Sequence, residues 1–168
     1  GSVLEIASGT GEHVVWLAGQ FPALTFQPSD PDAGNRASIT SWIAAAGVSN
    51  VKAPLALDAT DDRWVIAEAP DAVLFINMIH IAPWTATSGL LRNAGTTLLP
   101  GGVLYLYGPF RRGGAHTAPS NADFDASLRA HDPAWGVRDL ETVVEVAASD
   151  GFTLADIVSL VGPIGPVT

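Results

Sequence analysis

Short apolar runs alternate with amphipathic stretches along the whole chain, and each run stops at a cluster of turn-forming residues. Val3-Leu4-Glu5-Ile6-Ala7 is too short and apolar for a surface helix and ends in Ser-Gly-Thr-Gly, which predicts a buried strand. Glu12 to Gln20 carries Val14, Val15, Leu17 and Ala18 on one side and predicts a helix. Leu24 to Gln27 predicts a second strand, halted by Pro28-Ser29-Asp30-Pro31. Asn35 to Ala46 spaces Ile39, Trp42 and Ile43 as a helix does, and Gly47 ends it. Val51 to Leu57 reads as a third strand, an awkward one because Pro54 sits inside it. Trp64 to Ala69 reads as a short helix. Ala72 to Ile76 is a continuous apolar run, as expected of a strand covered on both faces. Trp84 to Leu99 predicts a helix closed by Pro100-Gly101-Gly102, and Val103 to Tyr107 a fifth strand. Gly108 to Gly136 is rich in Gly, Pro, Asn, Asp and His and weakly periodic, so a functional or mobile loop is expected, with a short helix over Asp123 to Ala130. Arg138 to Ser149 reads as a helix and Phe152 to Leu160 as a last strand.

Alternation of this kind predicts one α/β domain over residues 1–168, doubly wound, with a mostly parallel sheet and helices on both faces. Ligands of such sheets bind beyond the carboxyl ends of the strands, which directs attention to the residues just after each strand.

Composition narrows the possibilities. Hydrophobic residues make up 48% of the 168 and charged residues 15%, a packed globular balance. No apolar run approaches the roughly 20 residues of a membrane helix, and the N-terminus has no basic start or cleavage site of a signal peptide. The absence of cysteine excludes disulfides, thiolate metal sites and a cysteine nucleophile, and is compatible with a cytoplasmic protein. No His/Asp cluster has metal-ligand spacing, so no metal is expected. Acidic residues number 17 against 8 Lys plus Arg, a net charge of -9 that repels phosphate backbones. With Arg111-Arg112 the one tight basic pair, a small molecule or a protein is a better substrate than nucleic acid. Nothing in the sequence speaks to oligomeric state.

Four turns carry candidate chemistry. The first is Glu5-Ile6-Ala7-Ser8-Gly9-Thr10-Gly11, where glycines allow close backbone approach and a helix N-terminus points at the ligand. A nicotinamide dinucleotide site wants a third glycine where Val14 stands. A methyltransferase wants an acidic residue inside the strand, and Glu5 fits, since a buried carboxylate is costly without a purpose. The second turn, Ser29-Asp30-Pro31-Asp32, offers Asp30 to the two hydroxyls of a ribose, with Asp32 as fallback; an Asp-Pro turn former is the plainer alternative. The third, Leu57-Asp58-Ala59-Thr60, offers Asp58 to an adenine amine, against the alternative of a solvated acidic loop with Asp61 and Asp62. The fourth, Asn77-Met78-Ile79-His80, places an imidazole where a general base would serve, the alternative being a structural histidine bonded to the backbone. The long loop adds Arg111, Arg112, His116, Ser120 and Asn121, and an arginine fork suits a carboxylate or phosphate.

The order VLEIASGTG, FQPSD, LALDA, VLFINMIHI, LLPGGVLYLYGPF resembles the class I S-adenosylmethionine-dependent methyltransferases. More narrowly, VLEIASGTGEH, INMIHIAPW, LYGPFRRGG and HTAPSNADFDASLR resemble the poorly characterised family that includes methyltransferase-like protein twenty-six. The resemblance runs from Val3 to about Leu160. It implies a Rossmann-like fold, S-adenosylmethionine as cofactor and S-adenosylhomocysteine as product. Glu5, Ala7, Gly9 and Gly11, with Ser8 and Thr10 in the same turn, would hold the methionine portion; Asp30 the ribose; Asp58 and Ala59 the adenine; Asn77 and Met78 the cofactor's other side. Tyr107, Arg111 and Asn121 are candidates to touch the methyl acceptor. The expected reaction is in-line displacement at the sulfonium methyl by an oxygen or nitrogen nucleophile, with His80 the first candidate base and His116 the second; the alternative is a non-catalytic binding module or partner subunit. Three departures stand out. Ala7 replaces a glycine common in the class, the chain begins at the first strand without the helix that precedes it there, and Val161 to Pro166 does not read as the class's extra antiparallel strand. A fragment, or a chain without those parts and with an open cofactor site, is expected.

Overall fold

The computed structural model describes residues 1–159. Its centre is a four-stranded parallel sheet, β1 (Ser2–Glu5), β2 (Thr25–Pro28), β3 (Ala72–Ile76) and β4 (Val103–Tyr107), in the order β2-β1-β3-β4. Helices α1 (Glu12–Gln20) and α2 (Ala33–Ala46) close one apolar cluster, in which Val14, Val15, Ala18 and Ile39 meet Phe26, with Val3 beside them. Helices α3 (Trp84–Thr97) and α5 (Leu140–Ser149) close the other, in which Leu90, Leu91, Ala94 and Val143 meet Leu4, Val73 and Phe75. Strand alternation explains the division: Val3 and Leu4 point to opposite faces, and both faces find a helix. The sheet is doubly wound, as its sequence pattern predicts.

Helix boundaries follow local chemistry. Asp32 caps α2 by accepting the Asn35 N–H at 2.8 Å, and Gly47 ends it at φ 64° with its N–H on the Ile43 carbonyl at 3.1 Å. The segment Gly108 to Gly136, expected as a loop around a short helix, is more ordered than its weak periodicity suggests. It contains a small hairpin, β5 (Arg111–Arg112) with β6 (Ala115–His116), turned by Gly113 and Gly114 at φ 54° and 77°. Helix α4 (Pro119–His131) follows, with proline in its first turn, and runs beyond the expected Asp123 to Ala130.

Three expected elements differ. Val51 to Leu57 makes single parallel bridges, Val51 with Phe26 and Leu55 with Ser29, instead of a continuous strand; Pro54 between them has no N–H to give a ladder. Trp64 to Ala69 is not helical. The Trp64 N–H goes to the Asn93 side chain and its indole N–H to the Asp58 carbonyl, so tertiary bonds hold Trp64 in an irregular segment. Residues 152–159 form no strand, and Leu154, Ile157 and Val158 are exposed. Leu160 and the stretch from Val161 to Pro166 lie outside the described residues. Among the described residues no helix is long and apolar enough to cross a membrane.

Candidate cofactor and acceptor site

Strand β1 pairs with β2 on one side and β3 on the other, so the chain leaves β1 first in one direction and later in the opposite one. This switch opens a crevice beyond the carboxyl ends of the strands. The turn after β1 bends through Ala7 at φ 53°, Gly9 at 57° and Gly11 at 99°. Left-handed geometry costs a non-glycine residue about 1 kcal/mol or more, so Ala7 is held there by its surroundings. A side chain at Gly11 would lie 2.9 Å from the Ile39 backbone, whereas one at Gly9 would meet nothing within 4 Å. The turn thus seats against α2 through Gly11 and stays open at Gly9, with the amino end of α1 behind it.

Glu5 ends β1 and is only 2% exposed. Its Oε2 is buried without a hydrogen-bond partner among the described residues. Burial pushes its pKa up to about 7, partly opposed by the Ser8 hydroxyl. Asp30, 4% exposed, ties the first two turns together. Its Oδ2 accepts the Gly9 N–H at 2.9 Å, and its Oδ1 accepts the Asp32 N–H at 2.9 Å and the Asn35 amide at 3.1 Å. Ser29, which the sequence left unremarked, completes the junction: its hydroxyl donates to the Glu5 carbonyl at 2.7 Å and its N–H to the Ser8 hydroxyl at 3.2 Å. Thr10 joins through its carbonyl, which accepts the Ser38 hydroxyl at 2.9 Å. Asp30 is therefore a buried structural tie between the first two turns, and Asp32 caps α2.

The Asp30 N–H donates to the Leu55 carbonyl at 3.0 Å, which sets the Asp58 turn at the same end of the sheet. Asp58 Oδ1 accepts the Thr60 N–H at 2.8 Å and hydroxyl at 2.7 Å, shaping a tight Asx turn. Ala59 is buried beside it.

On the other side of β1, Asn77 leaves β3 in the left-handed region at φ 57° and donates its N–H to the Tyr107 carbonyl at 2.8 Å. A single 3-10 turn (Met78–His80) follows. Met78 is buried and belongs to the same apolar cluster as Leu4, Ile6 and Phe75. His80 is 0% exposed. Its Nδ1 accepts the Arg138 N–H at 3.3 Å, its carbonyl accepts the Gly136 N–H at 2.9 Å, and its ring meets Phe110 edge-on at 5.1 Å. Because Nδ1 accepts, Nε2 carries the proton of the neutral ring. Nε2 is buried without a partner, against Gly108, where a Cβ would lie 2.6 Å from it. Burial first, and the Arg138 charge second, push its pKa down to about 4. Arg138 clamps this turn, donating to the carbonyls of Ile79 at 2.9 Å, Ala82 at 2.6 Å and Ala134 at 2.9 Å.

The remaining candidates lie on the hairpin and α4. Arg111 pairs with Asp139 at 2.6 Å, so its charge is already matched. His116 Nε2 lies 3.5 Å from Asp125 Oδ2, and its Nδ1 is buried without a partner. Asp125 also accepts the Val137 N–H at 2.7 Å and both-oxygen contact from Arg129, which with His116 hold its carboxyl below the usual range against the opposing effect of burial. Asn121 bonds to the Thr117 hydroxyl at 3.0 Å, and Tyr107 is half-buried. The structure thus joins Gly9 to Asp30 directly and Glu5 to Ser8 through Ser29, ties Thr10 to Ser38 of α2, and joins Asn77, Tyr107 and His80 through another set, while Arg111, His116 and Asn121 belong to the flanking hairpin and helix. Two surface concavities, one by Ser2, Thr25, Lys52 and Glu68 and one by Arg63, Thr96 and Thr97, lie away from this cleft. The strand order and the unpartnered Glu5 oxygen mark the site better than surface shape does.

Among protein families, the model of one described as protein of unknown function (DUF938) matches residues 1–162. The chain belongs to that family. This DUF938 chain is similar in structure to the S-adenosylmethionine-dependent methyltransferase SibL in its apo form, at 25% identity and a TM-score of 0.76, over 90% of this chain and 44% of that one. It is also similar to an O-methyltransferase family protein from Burkholderia thailandensis, at 18% identity and a TM-score of 0.79, over 94% of this chain and 47% of that one. A curated relative, a tRNA (guanine-N(7)-)-methyltransferase of Rhodopseudomonas palustris strain BisA53, is 39% identical over 82 residues, which are 48% of this chain and 31% of that protein. The DUF938 chain spans less than half the length of each of these three. Its fold is that of the class I S-adenosylmethionine-dependent methyltransferases.

Proposed function

We propose that this chain binds S-adenosylmethionine beyond the carboxyl ends of β1 and β2 and presents its methyl group to an oxygen or nitrogen of a small molecule or protein. The observation that carries this reading is the buried, unpartnered Glu5 Oε2 at the end of β1, beside a glycine turn that is open at Gly9. A buried carboxyl with a free oxygen suits a cationic group, and a methionine ammonium is one. The residues fit the rest of the cofactor: the turn from Ala7 to Gly11 for the methionine portion, Asp30 for the ribose, Asp58 and Ala59 for the adenine, and Asn77 for the opposite wall. When bound, the cofactor supplies an electrophilic methyl on a sulfonium.

What the chain itself contributes is orientation. Neither imidazole offers an accessible nitrogen in this arrangement. His80 has Nδ1 engaged and Nε2 against Gly108, and His116 has Nε2 on Asp125 and Nδ1 buried. The reading therefore moves the base role away from both, and a nucleophile that carries a proton gives it to water.

Calorimetric titration with S-adenosylhomocysteine and, separately, NAD tests the proposal. S-adenosylhomocysteine is expected to bind and NAD not; the reverse outcome sinks the reading. Binding without turnover across oxygen and nitrogen acceptors would instead favour a non-catalytic cofactor-binding subunit. The curated relative raises tRNA as an acceptor, and the net charge of -9 opposes it.

A further inference from the structure

Outside the cleft, the buried polar group with the most consequential bonds is Asn93 in the middle of α3, 1% exposed. Its Oδ1 accepts the Trp64 N–H at 3.1 Å, and its Nδ2 donates to the carbonyls of Asp61 at 2.8 Å and Gly89 at 3.0 Å. Three of its bonding positions are thus used, two of them on a segment 29 to 32 residues earlier in the chain. One turn before it, Gly89 lets α3 approach the same segment more closely than any other residue could. A Cβ at Gly89 would overlap the Ala59 carbonyl oxygen, 2.2 Å away.

The segment so gripped runs from Asp58 to Trp64 and is neither helix nor strand. Its internal bonds are an Asx turn at Asp58, the Asp58 N–H on Asp61 Oδ2 at 3.1 Å, the Asp61 N–H on the Asp58 carbonyl at 3.2 Å, and the Trp64 indole N–H on the same carbonyl at 2.8 Å. Its start is tied to the end of β2 through the Leu55 carbonyl, and α3 fixes the rest, through Gly89 against Ala59 and Asn93 against Asp61 and Trp64. The Asp58 carboxylate, half-buried at the strand ends, takes its direction from that turn.

We infer that Gly89 and Asn93 are positioning residues for base recognition: they hold the Ala59 carbonyl and the Asp61–Trp64 backbone so that the Asp58 carboxylate meets the exocyclic amine of the cofactor's adenine. The inference rests on the functional reading above and adds to it the residues that set base specificity. Neither residue touches the cofactor. A hydrogen bond weakens steeply as its distance and angle leave the optimum, so loosening the grip acts through Asp58.

The test is a selectivity ratio, measured by calorimetry with S-adenosylhomocysteine and S-inosylhomocysteine, which carries a carbonyl in place of the amine. The wild-type chain is expected to prefer the adenosine ligand by about tenfold, the worth of one hydrogen bond to a charged group. Gly89→Ala and Asn93→Ser are each expected to bring the ratio close to unity, with stoichiometry reporting the folded fraction. A purely structural role would lower both affinities alike and leave the ratio intact; that result in a folded variant overturns the inference. Should both variants fail to fold, Trp64→Phe, which removes only the indole bond to the Asp58 carbonyl, is expected to narrow the ratio about threefold, and an unchanged ratio there overturns it as well. A wild-type chain that binds both ligands equally also overturns it while leaving the cofactor reading standing; a wild-type chain that binds neither removes the cofactor reading itself.

Discussion

Two buried ionisable groups sit at neighbouring strand ends and have been driven in opposite directions. Glu5, after β1, is pushed up to about 7, and His80, after β3, is pushed down to about 4. Burial is the first cause in both, and each keeps one polar atom without a partner. Their surroundings separate them. Around Glu5 the backbone turns away through Ala7 and Gly9, the Ser8 hydroxyl is the one side-chain group opposing the shift, and Gly9 faces open space. Around His80 the Arg138 and Gly136 N–H groups, the Phe110 ring and Gly108 occupy the approaches. A perturbed pKa in a cleft is a candidate for function, but the partners decide between the two. Glu5 has an unmet need that a cation would satisfy, whereas the approaches to His80 are occupied by the protein itself.

The largest expected effect tests Glu5 directly. Glu5→Gln keeps the shape and removes the charge, and should weaken S-adenosylhomocysteine binding by about tenfold to a hundredfold, the range for losing a hydrogen bond to a charged group. Thermal stability should hold or rise, because an amide is less costly to bury than a carboxylate. Weakened binding together with a falling melting temperature would show that Glu5 is structural and erase the contrast.

Gly108→Ala attacks the other region. The new Cβ would crowd His80 Nε2 at 2.6 Å and Asn77 Oδ1 at 3.0 Å. Overpacking of this kind costs about 1–3 kcal/mol, and chemical denaturation would read it. Cofactor affinity should change far less than in Glu5→Gln. A Gly108→Ala chain of normal stability would mean that the His80 wall is looser than its contacts imply.

How much of this contrast could be read from sequence depends on how far the deciding contacts reach. The strands and helices of the two faces were legible because Val3 to Ala7, Glu12 to Gln20 and Ala72 to Ile76 carry their pattern locally, with Gly47 as an end signal. The Gly113-Gly114 turn and Pro119 were equally local signals, yet two-residue strands leave too little periodicity around them for the hairpin to stand out. Trp64 to Ala69 misled, because Trp64 is held by bonds to the Asn93 side chain, 29 residues later, and to the Asp58 carbonyl, which no local pattern announces. Glu5 was legible as a charge inside an apolar strand. The state of His80 was not, since Arg138 lies 58 residues later and nothing near either residue announces the pairing.

Acidity separates the two groups by sign. A raised carboxyl makes the folded state bind a proton the unfolded chain has lost, so the Glu5 contribution is fully present below the ordinary value of 4.5 and is lost as pH rises through about 7. A depressed histidine does the reverse: the His80 contribution is present above 6.5 and lost as pH falls through about 4. The melting temperature of Glu5→Gln relative to wild type should therefore climb between pH 5 and 8. Cofactor binding needs the Glu5 carboxylate, so S-adenosylhomocysteine affinity should fall about fivefold from pH 7 to pH 6, a loss that Glu5→Gln should not show. Equal pH dependence in the two chains would deny Glu5 its place in the site.

The smallest effect concerns Arg138, and it is the sharpest check on His80. Arg138→Lys keeps a positive charge and keeps the backbone N–H that bonds His80 Nδ1, but it loses the planar fork that reaches Ile79, Ala82 and Ala134 together. Stability should fall by about 1 kcal/mol, the worth of the bonds a lysine cannot remake. The imidazole should stay neutral with its proton on Nε2 across pH 5 to 8, which the nitrogen shifts of labelled histidine would show. Were His80 instead a base kept ready for the acceptor, loosening the clamp would expose it and let it titrate near its ordinary value. Neutrality that survives Arg138→Lys would show that the fork's bonds are not what keeps His80 neutral, in keeping with burial as the first cause of its lowered pKa, and would leave Glu5 as the one of the two whose protonation follows the ligand.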